Sequence, residues 1–292
     1  MNPHSIRTFS RADVEFALAQ TDREGWDSTR ESFEACLVHD PEGCFIAEAD
    51  GRRVGMVTTV RYGRTGWIGH LIVPPQYRRQ GIGESLMTRA MTHLSDQEIR
   101  TIRLEADPMG VRLYRRLGFV DEFESLRFRL RAYRGITQAT AARVRQADLP
   151  TIATFDAEHF GDQRDRLLPL LFQHARAAYW LPEGGETRGY ALAVPSPVGI
   201  RIGPWLAVDD RAAQTLLQSI LADLPLTNVP PVKGLPDKGI ILGVPGKNAR
   251  AAALLESYGF TRCPSSLRMV HGPQTATGHP ENVFAIANGA MG

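Results

Sequence analysis

The chain has 292 residues, 43% of them hydrophobic, which is long enough to bury a sizeable core and to form two domains. Its formal net charge of +2, from 34 basic and 32 acidic residues, gives no basic footprint for nucleic acid. The three scattered cysteines and eight histidines show neither disulfide nor metal-ligand spacing, so we expect no bound metal. The sequence has no signal-peptide core and no apolar run of membrane-spanning length, which predicts a cytoplasmic protein without a membrane partner.

The first half of the chain predicts a strand, two helices, a hairpin, and then strand, helix, strand, helix and strand. The predicted strands cover residues 6–9, 44–49, 53–60, 68–73, 101–106 and 128–131. The predicted helices cover residues 10–20, 28–38, about 82–94 and 110–117. Asp50-Gly51 is a turn pair that joins the two hairpin strands.

The stretch from Trp67 to Leu94 joins the central strand to the longest helix. Pro74 and Pro75 end the strand because proline cannot continue a hydrogen-bonded ladder. A helix N-terminus has unpaired N–H groups and the positive end of a dipole, so it attracts phosphate. Glycines at 81 and 83 allow a close backbone approach, and the turn before the helix reads Arg78-Arg79-Gln80-Gly81-Ile82-Gly83.

This strand, turn and helix resemble the acyl-CoA motif of the GCN5-related N-acetyltransferases, in which Gln or Arg is followed after two residues by Gly-x-Gly/Ala. Arg78, Gly81 and Gly83 fill those places. The resemblance implies that backbone amides from Arg79 to Gly83 hold the pyrophosphate of acetyl-CoA, and that the strand end pairs with the pantetheine arm. The implied cofactor-binding residues are Leu71, Ile72, Val73, Arg78, Arg79, Gln80, Gly81, Ile82, Gly83, Asp107 and Tyr114.

A second motif lies in the stretch from Asp107 to Phe119. Members of the same family carry a tyrosine here, four residues before a Gly-Phe pair, and Tyr114 precedes Gly118-Phe119 by that spacing. Gly118 suits a helix C-terminus. The resemblance implies that Tyr114 is the general acid that protonates the leaving thiolate; the alternative is a tyrosine that only packs its ring.

The second half of the chain repeats the first. Residues 248–260 align without a gap on residues 107–119, at an offset of 141 positions, so that Gly259-Phe260 falls on Gly118-Phe119. An internal repeat of this period indicates a duplicated domain. We therefore expect a mixed α/β fold of two tandem GNAT domains, each a twisted mixed β-sheet flanked by helices. The first covers residues 1–133 and the second 138–292, with a linker at about 131–137.

The two copies differ where chemistry is expected. After its central strand the second copy has Asp209-Asp210 and a turn about ten residues shorter, without a glycine pair, and Leu255 replaces Tyr114. Carboxylates at that point disfavour a phosphate. We expect a degenerate domain that walls the acceptor pocket or forms a homodimer; a purely stabilising domain is the alternative.

The general base and the acceptor are less well defined. On the central strand, His70 has the wrong parity to face the cleft unless a bulge shifts the register. Glu105 on the neighbouring strand is the next candidate, although it could instead pair with an arginine. Trp26 and Asp27 lie in a loop that often lines the acceptor in this family, so we assign them to substrate binding.

The sequence thus predicts an N-acetyltransferase that moves acetyl from acetyl-CoA directly to a primary amine of a small molecule. One alternative within this class resembles mycothiol synthase, a tandem enzyme that acetylates an amino-sugar conjugate. The alternative from another class is an acyl-CoA sensor or scaffold that binds the cofactor without turnover.

Overall fold

The computed structural model describes residues 4–133, 138–224, 239–274 and 278–292, and the chain divides into two compact units. Unit 1 consists of Met1–Asp121, Met269–Thr275 and Ala290–Gly292; unit 2 consists of Glu122–Arg268 and Ala276–Gly289. The linker predicted at residues 131–137 lies in part outside the described residues, which omit 134–137. The domain boundary between 133 and 138 therefore stays a prediction.

Unit 1 begins with a short strand and two helices and continues with a sheet that carries the motifs. Its strands are β1 (Ser5–Thr8), β2 (Phe45–Ala49), β3 (Arg52–Arg61), β4 (Thr65–Ile72) and β5 (Thr101–Ala106). Its helices are α1 (Val14–Glu24), α2 (Arg30–His39), α3 (Ile82–Asp96) and α4 (Val111–Arg116). The strand order is β1-β2-β3-β4-β5, antiparallel up to β4 and parallel between β4 and β5.

The spacing of apolar residues explains how α3 packs on this sheet. Apolar side chains three or four positions apart lie on one helical face, and this face is buried: Ile82, Leu86, Met87, Ala90 and Leu94. Each large side chain among them contributes about 1.5–3 kcal/mol by leaving water. The helix packs against β2, β3 and β4, and this burial fixes its N-terminus just beyond the end of β4.

Unit 2 repeats this plan. Its strands are β6 (Val120–Leu130), β7 (Ala142–Arg143), β8 (Ala177–Glu183), β9 (Glu186–Ser196), β10 (Gly199–Ala207), β11 (Gly239–Pro245), β12 (Thr261–His271) and β13 (Val283–Ala285). Its helices are α5 (Leu149–Phe160), α6 (Leu168–Gln173), α7 (Asp210–Asp223) and α8 (Ala249–Ser257). The division into units falls inside β6, after Asp121, and inside β12, after Arg268.

The sheet of unit 2 runs β6-β11-β10-β9-β8-β7, and β13 pairs with β10 outside this order. Its core includes Trp205, Leu216, Ile220 and Phe284, all without exposure. In this sheet β10 is antiparallel to β9 and parallel to β11, which follows the helix α7. In unit 1, β4 is likewise antiparallel to β3 and parallel to β5, which follows α3. The predicted α/β class with helices flanking mixed sheets is confirmed.

Two strands show how the fold differs from the predicted elements. The strand predicted at residues 128–131 is the end of β6, which begins at Val120. Its pairing with β11 runs from Ser125 to Leu130, through charged side chains that hide the alternation. The strand β13 was not predicted, since three apolar residues are too few for a periodic signal. Among the described residues, no helix combines the length and apolarity needed to cross a bilayer.

Candidate active site

The strand β4 separates from its parallel neighbour halfway along its length. Within the described residues, the pairing with β5 covers Thr65–Trp67 of β4 and Thr101–Arg103 of β5. Both strands continue beyond these pairs, to Ile72 and Ala106. The second half of β4 therefore has backbone N–H and C=O groups on the β5 side that an extended ligand can pair with.

A bulge in β4 sits at this point of separation. Thr58 pairs with Gly69 and Met56 with Ile72, so His70 and Leu71 together oppose the single residue Val57. His70 has a positive φ of 49°, which is uncommon for residues other than glycine, although histidine adopts it more often than most. A bulge re-aims the side chains that follow it. The condition under which His70 faces the cleft is thus met.

The bulge directs His70 into a buried polar contact. Its Nδ1 lies 2.9 Å from the hydroxyl of Thr58 and its Nε2 lies 2.9 Å from the hydroxyl of Ser28. The ring is 6% exposed and its centroid is 4.6 Å from that of Phe33. Ser28 belongs to the loop between α1 and α2, so His70 connects β4 to that loop.

The residues predicted to hold the pyrophosphate form the turn between β4 and α3. Gly81 caps the helix with φ +79°, a left-handed conformation that glycine adopts without strain. A Cβ on Gly83 would lie 3.6 Å from Leu113 and 3.8 Å from Val73, an ordinary contact that leaves the first turn of the helix open. Arg79 and Gln80 are exposed, and Arg79 also has a positive φ, of 64°. The first N–H groups of α3, like those of any helix, have no partner within the helix, so they can bind an anion.

Arg78 points into the protein instead. Its Nε donates to the carbonyl of Val73 at 2.8 Å, and its Nη2 donates to the carboxylate of Glu24 at the end of α1. Its Nη1 lies 3.4 Å from the sulfur of Met109. Arg78 therefore ties the end of β4 to the segments on either side of it, while the turn after it remains available to an anion.

Tyr114 lies beneath the first residues of α4. It is 8% exposed, and its ring packs edge-on against Phe119 with the centroids 6.1 Å apart. A Cβ on Gly110 would stand 2.6 Å from Cε2 of this ring, so the phenol can occupy its position only because residue 110 is glycine. Burial raises the pKa of Tyr114 well above its ordinary value, and the negative charge of Asp107 raises it further.

The loop predicted to bind substrate contacts the same region. The indole Nε1 of Trp26 donates to Oδ2 of Asp107 at 2.9 Å, and its ring centroid is 6.3 Å from that of His70. Asp27 is half-buried next to it. The loop thus brings Trp26 and Ser28 to the ends of β4 and β5, where Asp107 and Tyr114 also lie.

Glu105, the predicted base on β5, is half-buried two residues before Asp107. His70, Ser28 and Gly110 are the site residues that sequence reasoning missed or left aside. The positive φ of His70 and its two hydroxyl partners depend on strand pairing. A Gly four residues before the family tyrosine is the only signal for Gly110 that the sequence offers.

The last residues of the chain contact β4 and the residue after β3 in unit 1. A Cβ on Gly69 would lie 2.5 Å from Cβ of Ala290, so the two backbones touch where glycine leaves room. The hydroxyl of Tyr62 donates to the carbonyl of Met291 at 2.5 Å. These residues therefore pack against β4 next to the bulge.

Each half of the chain is similar to known acetyltransferases. Residues 9–119 match a model described as the acetyltransferase (GNAT) family, and residues 152–285 match one described as an acetyltransferase (GNAT) domain. The crystal structure of a putative acetyltransferase from Pyrococcus horikoshii is similar, with a TM-score of 0.81 and 25% identity over 100% of this chain and 97% of the other.

Two curated relatives are similar over parts of the chain. The uncharacterized N-acetyltransferase YitH of Bacillus subtilis strain 168 is 24% identical over 202 residues, 68% of this chain and 71% of the relative. A mycothiol acetyltransferase of Streptomyces coelicolor is 35% identical over 95 residues, 31% of each protein.

Proposed function

We propose a function for this chain from the family to which it belongs, the acetyltransferase (GNAT) family of acyltransferases, since it carries two domains of that family in tandem. In this proposal the first domain transfers acetyl from acetyl-CoA directly to a primary amine of a small molecule. The observation that carries this proposal is the separation of β4 from β5 next to the glycine turn of α3 and the buried Tyr114. A strand edge can pair with the extended pantetheine arm of acetyl-CoA, an anion site can bind its pyrophosphate, and a phenol can reach its thioester sulfur.

The first domain offers acetyl-CoA two kinds of backbone contact. The N–H groups from Arg79 to Gly83 would hold the pyrophosphate at the positive end of the α3 dipole. The edge formed by Leu71, Ile72 and Val73 would pair with the pantetheine arm, and Arg78 would hold that edge in place through Val73. Gln80 and Ile82 complete the turn. The thioester supplies an activated carbonyl to the amine.

Tyr114 would act on the leaving sulfur. When the amine nitrogen bonds to the carbonyl carbon, the carbon–sulfur bond breaks and negative charge develops on sulfur. The phenol stays protonated at neutral pH because burial and Asp107 raise its pKa. A thiolate with pKa near 8.5 does not readily remove a proton from so weak an acid. Tyr114 therefore donates a hydrogen bond to the sulfur, and the proton lost by the attacking amine completes the thiol.

An alkylamine is mostly protonated at pH 7, so a base must first accept a proton from it. Glu105 and His70 are the two candidates. The bulge favours His70, whose Nε2 faces the hydroxyl of Ser28, since a hydroxyl can receive the proton of the amine as it passes one to the imidazole. Trp26 and Asp27 would line the acceptor side of the same region.

A second candidate acceptor is an amino-sugar conjugate. The similarity to a mycothiol acetyltransferase over 95 residues favours including this class of amine. Because the alignment covers only 31% of each protein, the activity of the relative is not assigned to this chain.

The proposal is tested by measuring CoA release from acetyl-CoA against a panel of alkylamines, aromatic amines and amino-sugar conjugates. We expect turnover with at least one amine and a fall in kcat of at least about tenfold in Tyr114→Phe, which keeps the ring but loses the donor. Tyr133→Phe, in unit 2, is the matched control. Saturable binding of acetyl-CoA without turnover on any amine contradicts the proposal and supports a sensor.

A further inference from the structure

The second domain contains a cleft that is equivalent to the cofactor cleft of the first. In the first domain β4 pairs with β5 through Thr65–Trp67 and then leaves it. In the second domain β10 pairs in parallel with β11 through Gly199–Arg201 and then leaves it in the same way. Both strands carry a bulge just beyond these pairs: Gly203 and Pro204 together oppose Leu192, as His70 and Leu71 oppose Val57.

The cleft between β10 and β11 is filled by the chain itself. The strand β13 is antiparallel to β10, with Ala285 opposite Trp205 and Val283 near Leu206. On the other side, the amide of Ile286 donates to the carbonyl of Gly243 in β11 at 2.9 Å. Trp205 directly follows its bulge, as Ile72 does in β4, so β13 pairs with the edge that corresponds to the pantetheine edge of the first domain.

The side chains of this segment are bound as firmly as its backbone. Phe284 is fully buried with its ring 5.1 Å from that of Trp205. The amide of Asn248 donates to the carbonyl of Val283 at 3.0 Å. A Cβ on Gly203 would collide with the carbonyl oxygen of Ile286, so glycine at the bulge admits the strand. These contacts are made by buried groups and leave no room for a second extended ligand.

The anion end of this cleft is closed as well. Asp209 caps α7, where its Oδ1 accepts the amide of Ala212 at 2.8 Å. That carboxylate takes the place at the helix N-terminus that a phosphate oxygen would need. Arg188 donates to its other oxygen at 2.6 Å, so the charge of the aspartate is already paired.

We propose that the second domain has converted an acyl-CoA cleft into a strand-binding groove, which residues 283–286 fill in cis, so that the chain binds one acetyl-CoA and not two. Recognition is by strand addition: main-chain hydrogen bonds to β10 and β11 hold the segment, and the pocket around Trp205 selects an aromatic residue. The proposal rests on the proposed function only for the single site in the first domain.

Hydrogen exchange on the full chain tests the groove without any variant. We expect the amides of residues 285 and 286 to exchange as slowly as those of β10, and to do so equally with and without saturating acetyl-CoA. Exchange as fast as an unstructured peptide, or a change on adding acetyl-CoA, overturns the proposal.

A matched pair of substitutions reports on the segment itself. Phe284→Leu removes ring contacts from the groove, while Phe260→Leu makes the same change in the same core but outside the segment 283–286. We expect Phe284→Leu alone to speed exchange at residues 283–286 by at least about tenfold relative to β10. Equal acceleration in both variants shows that the segment opens only with the whole core, which contradicts a separate groove.

Calorimetry with acetyl-CoA counts the sites. We expect one equivalent per chain, and no binding to Gly81→Asp. A second equivalent per wild-type chain overturns the proposal, whereas a single equivalent that persists in Gly81→Asp refutes the pyrophosphate site of the first domain instead. A wild-type chain that binds no acetyl-CoA at all refutes the proposed function instead, and the exchange measurements still decide whether the groove is filled in cis.

Discussion

The indole of Trp26 donates a hydrogen bond to the carboxylate of Asp107 at 2.9 Å, joining residues 81 positions apart. Trp26 belongs to the loop between α1 and α2, and Asp107 directly follows β5. Because Asp107 also raises the pKa of Tyr114, this contact connects the expected acceptor loop to the phenol proposed to donate a hydrogen bond to the leaving sulfur.

The first prediction concerns this contact. Trp26→Phe keeps an aromatic ring but removes the donor to a charged group, an interaction of about 1.5–3 kcal/mol. We expect KM for the amine to rise by about threefold or more, because the loop loses its attachment, while KM for acetyl-CoA stays within about twofold. Steady-state kinetics measure both constants. Trp180→Phe in unit 2 is the control, and an unchanged amine KM in Trp26→Phe would show that the loop does not position the acceptor.

The second prediction separates the two candidate bases. A base must be deprotonated to act, so kcat falls as the pH drops below its pKa. We expect His70→Gln to lower kcat at least about tenfold at pH 7.5. We also expect the fall of kcat at acidic pH to disappear in this variant. Glu105→Gln, a matched loss of one titrating group, should keep that fall. The reverse result assigns the base to Glu105.

The third prediction uses the glycine under Tyr114. Gly110→Ala places a Cβ 2.6 Å from the ring, so the phenol must move. Residue 110 is the N-cap of α4, where alanine is not favoured over glycine, and the buried ring must shift, so we expect a modest loss of thermal stability together with a fall in kcat of about tenfold and an unchanged affinity for acetyl-CoA. Gly83→Ala, whose new contacts are ordinary, controls for adding a methyl group nearby. A fall in kcat in Gly83→Ala but not in Gly110→Ala contradicts the placement of Tyr114.

The fourth prediction concerns the anion turn. Gly81 and Gly51 both have a left-handed backbone, with φ of +79° and +70°, and neither has a neighbour within 4 Å of an added Cβ. Gly81→Asp and Gly51→Asp should therefore lose similar stability through backbone strain. Only Gly81→Asp should abolish binding of acetyl-CoA in calorimetry, because it adds a negative charge at the helix N-terminus. Equal affinity in the two variants refutes the pyrophosphate site.

The fifth prediction concerns His159 in α5. The side chain is 6% exposed, and neither ring nitrogen has a partner among the described residues. Burial lowers its pKa, as does the neighbouring His279, against the opposing charges of Glu158, Asp156 and Glu281. A lowered folded pKa means that its contribution to stability is present above about pH 6.5 and is lost as the pH falls through the folded value.

Urea unfolding at pH 7.5, 6.5 and 5.5 measures this effect. The free energy of unfolding of the wild type should fall more steeply with decreasing pH than that of His159→Phe. The exposed residue His174, changed to phenylalanine, should follow the wild type. Parallel curves for wild type and His159→Phe would show that His159 does not titrate between these values.

Local patterns predicted where along the chain the chemistry lies. The proline-terminated strand, the turn from Arg78 to Gly83 and the apolar stripe of α3 are all encoded within 30 residues, as is the spacing from Tyr114 to Gly118-Phe119. The repeat at 141 positions likewise needed only the order of residues, and both copies match the same family. These features are readable because backbone conformation and helix periodicity depend mainly on near neighbours.

Tertiary structure decided which groups each of these side chains and strands contacts. The bulge that turns His70 to Ser28 depends on the register against β3, and the contact of Trp26 with Asp107 depends on where a loop settles. The segment Val283–Ala285 is apolar in any context, but its place between β10 and β11 follows from a cleft made by strands tens of residues away. Pairings over such separations are fixed by the burial and hydrogen bonding of the whole domain, which no short window of sequence contains.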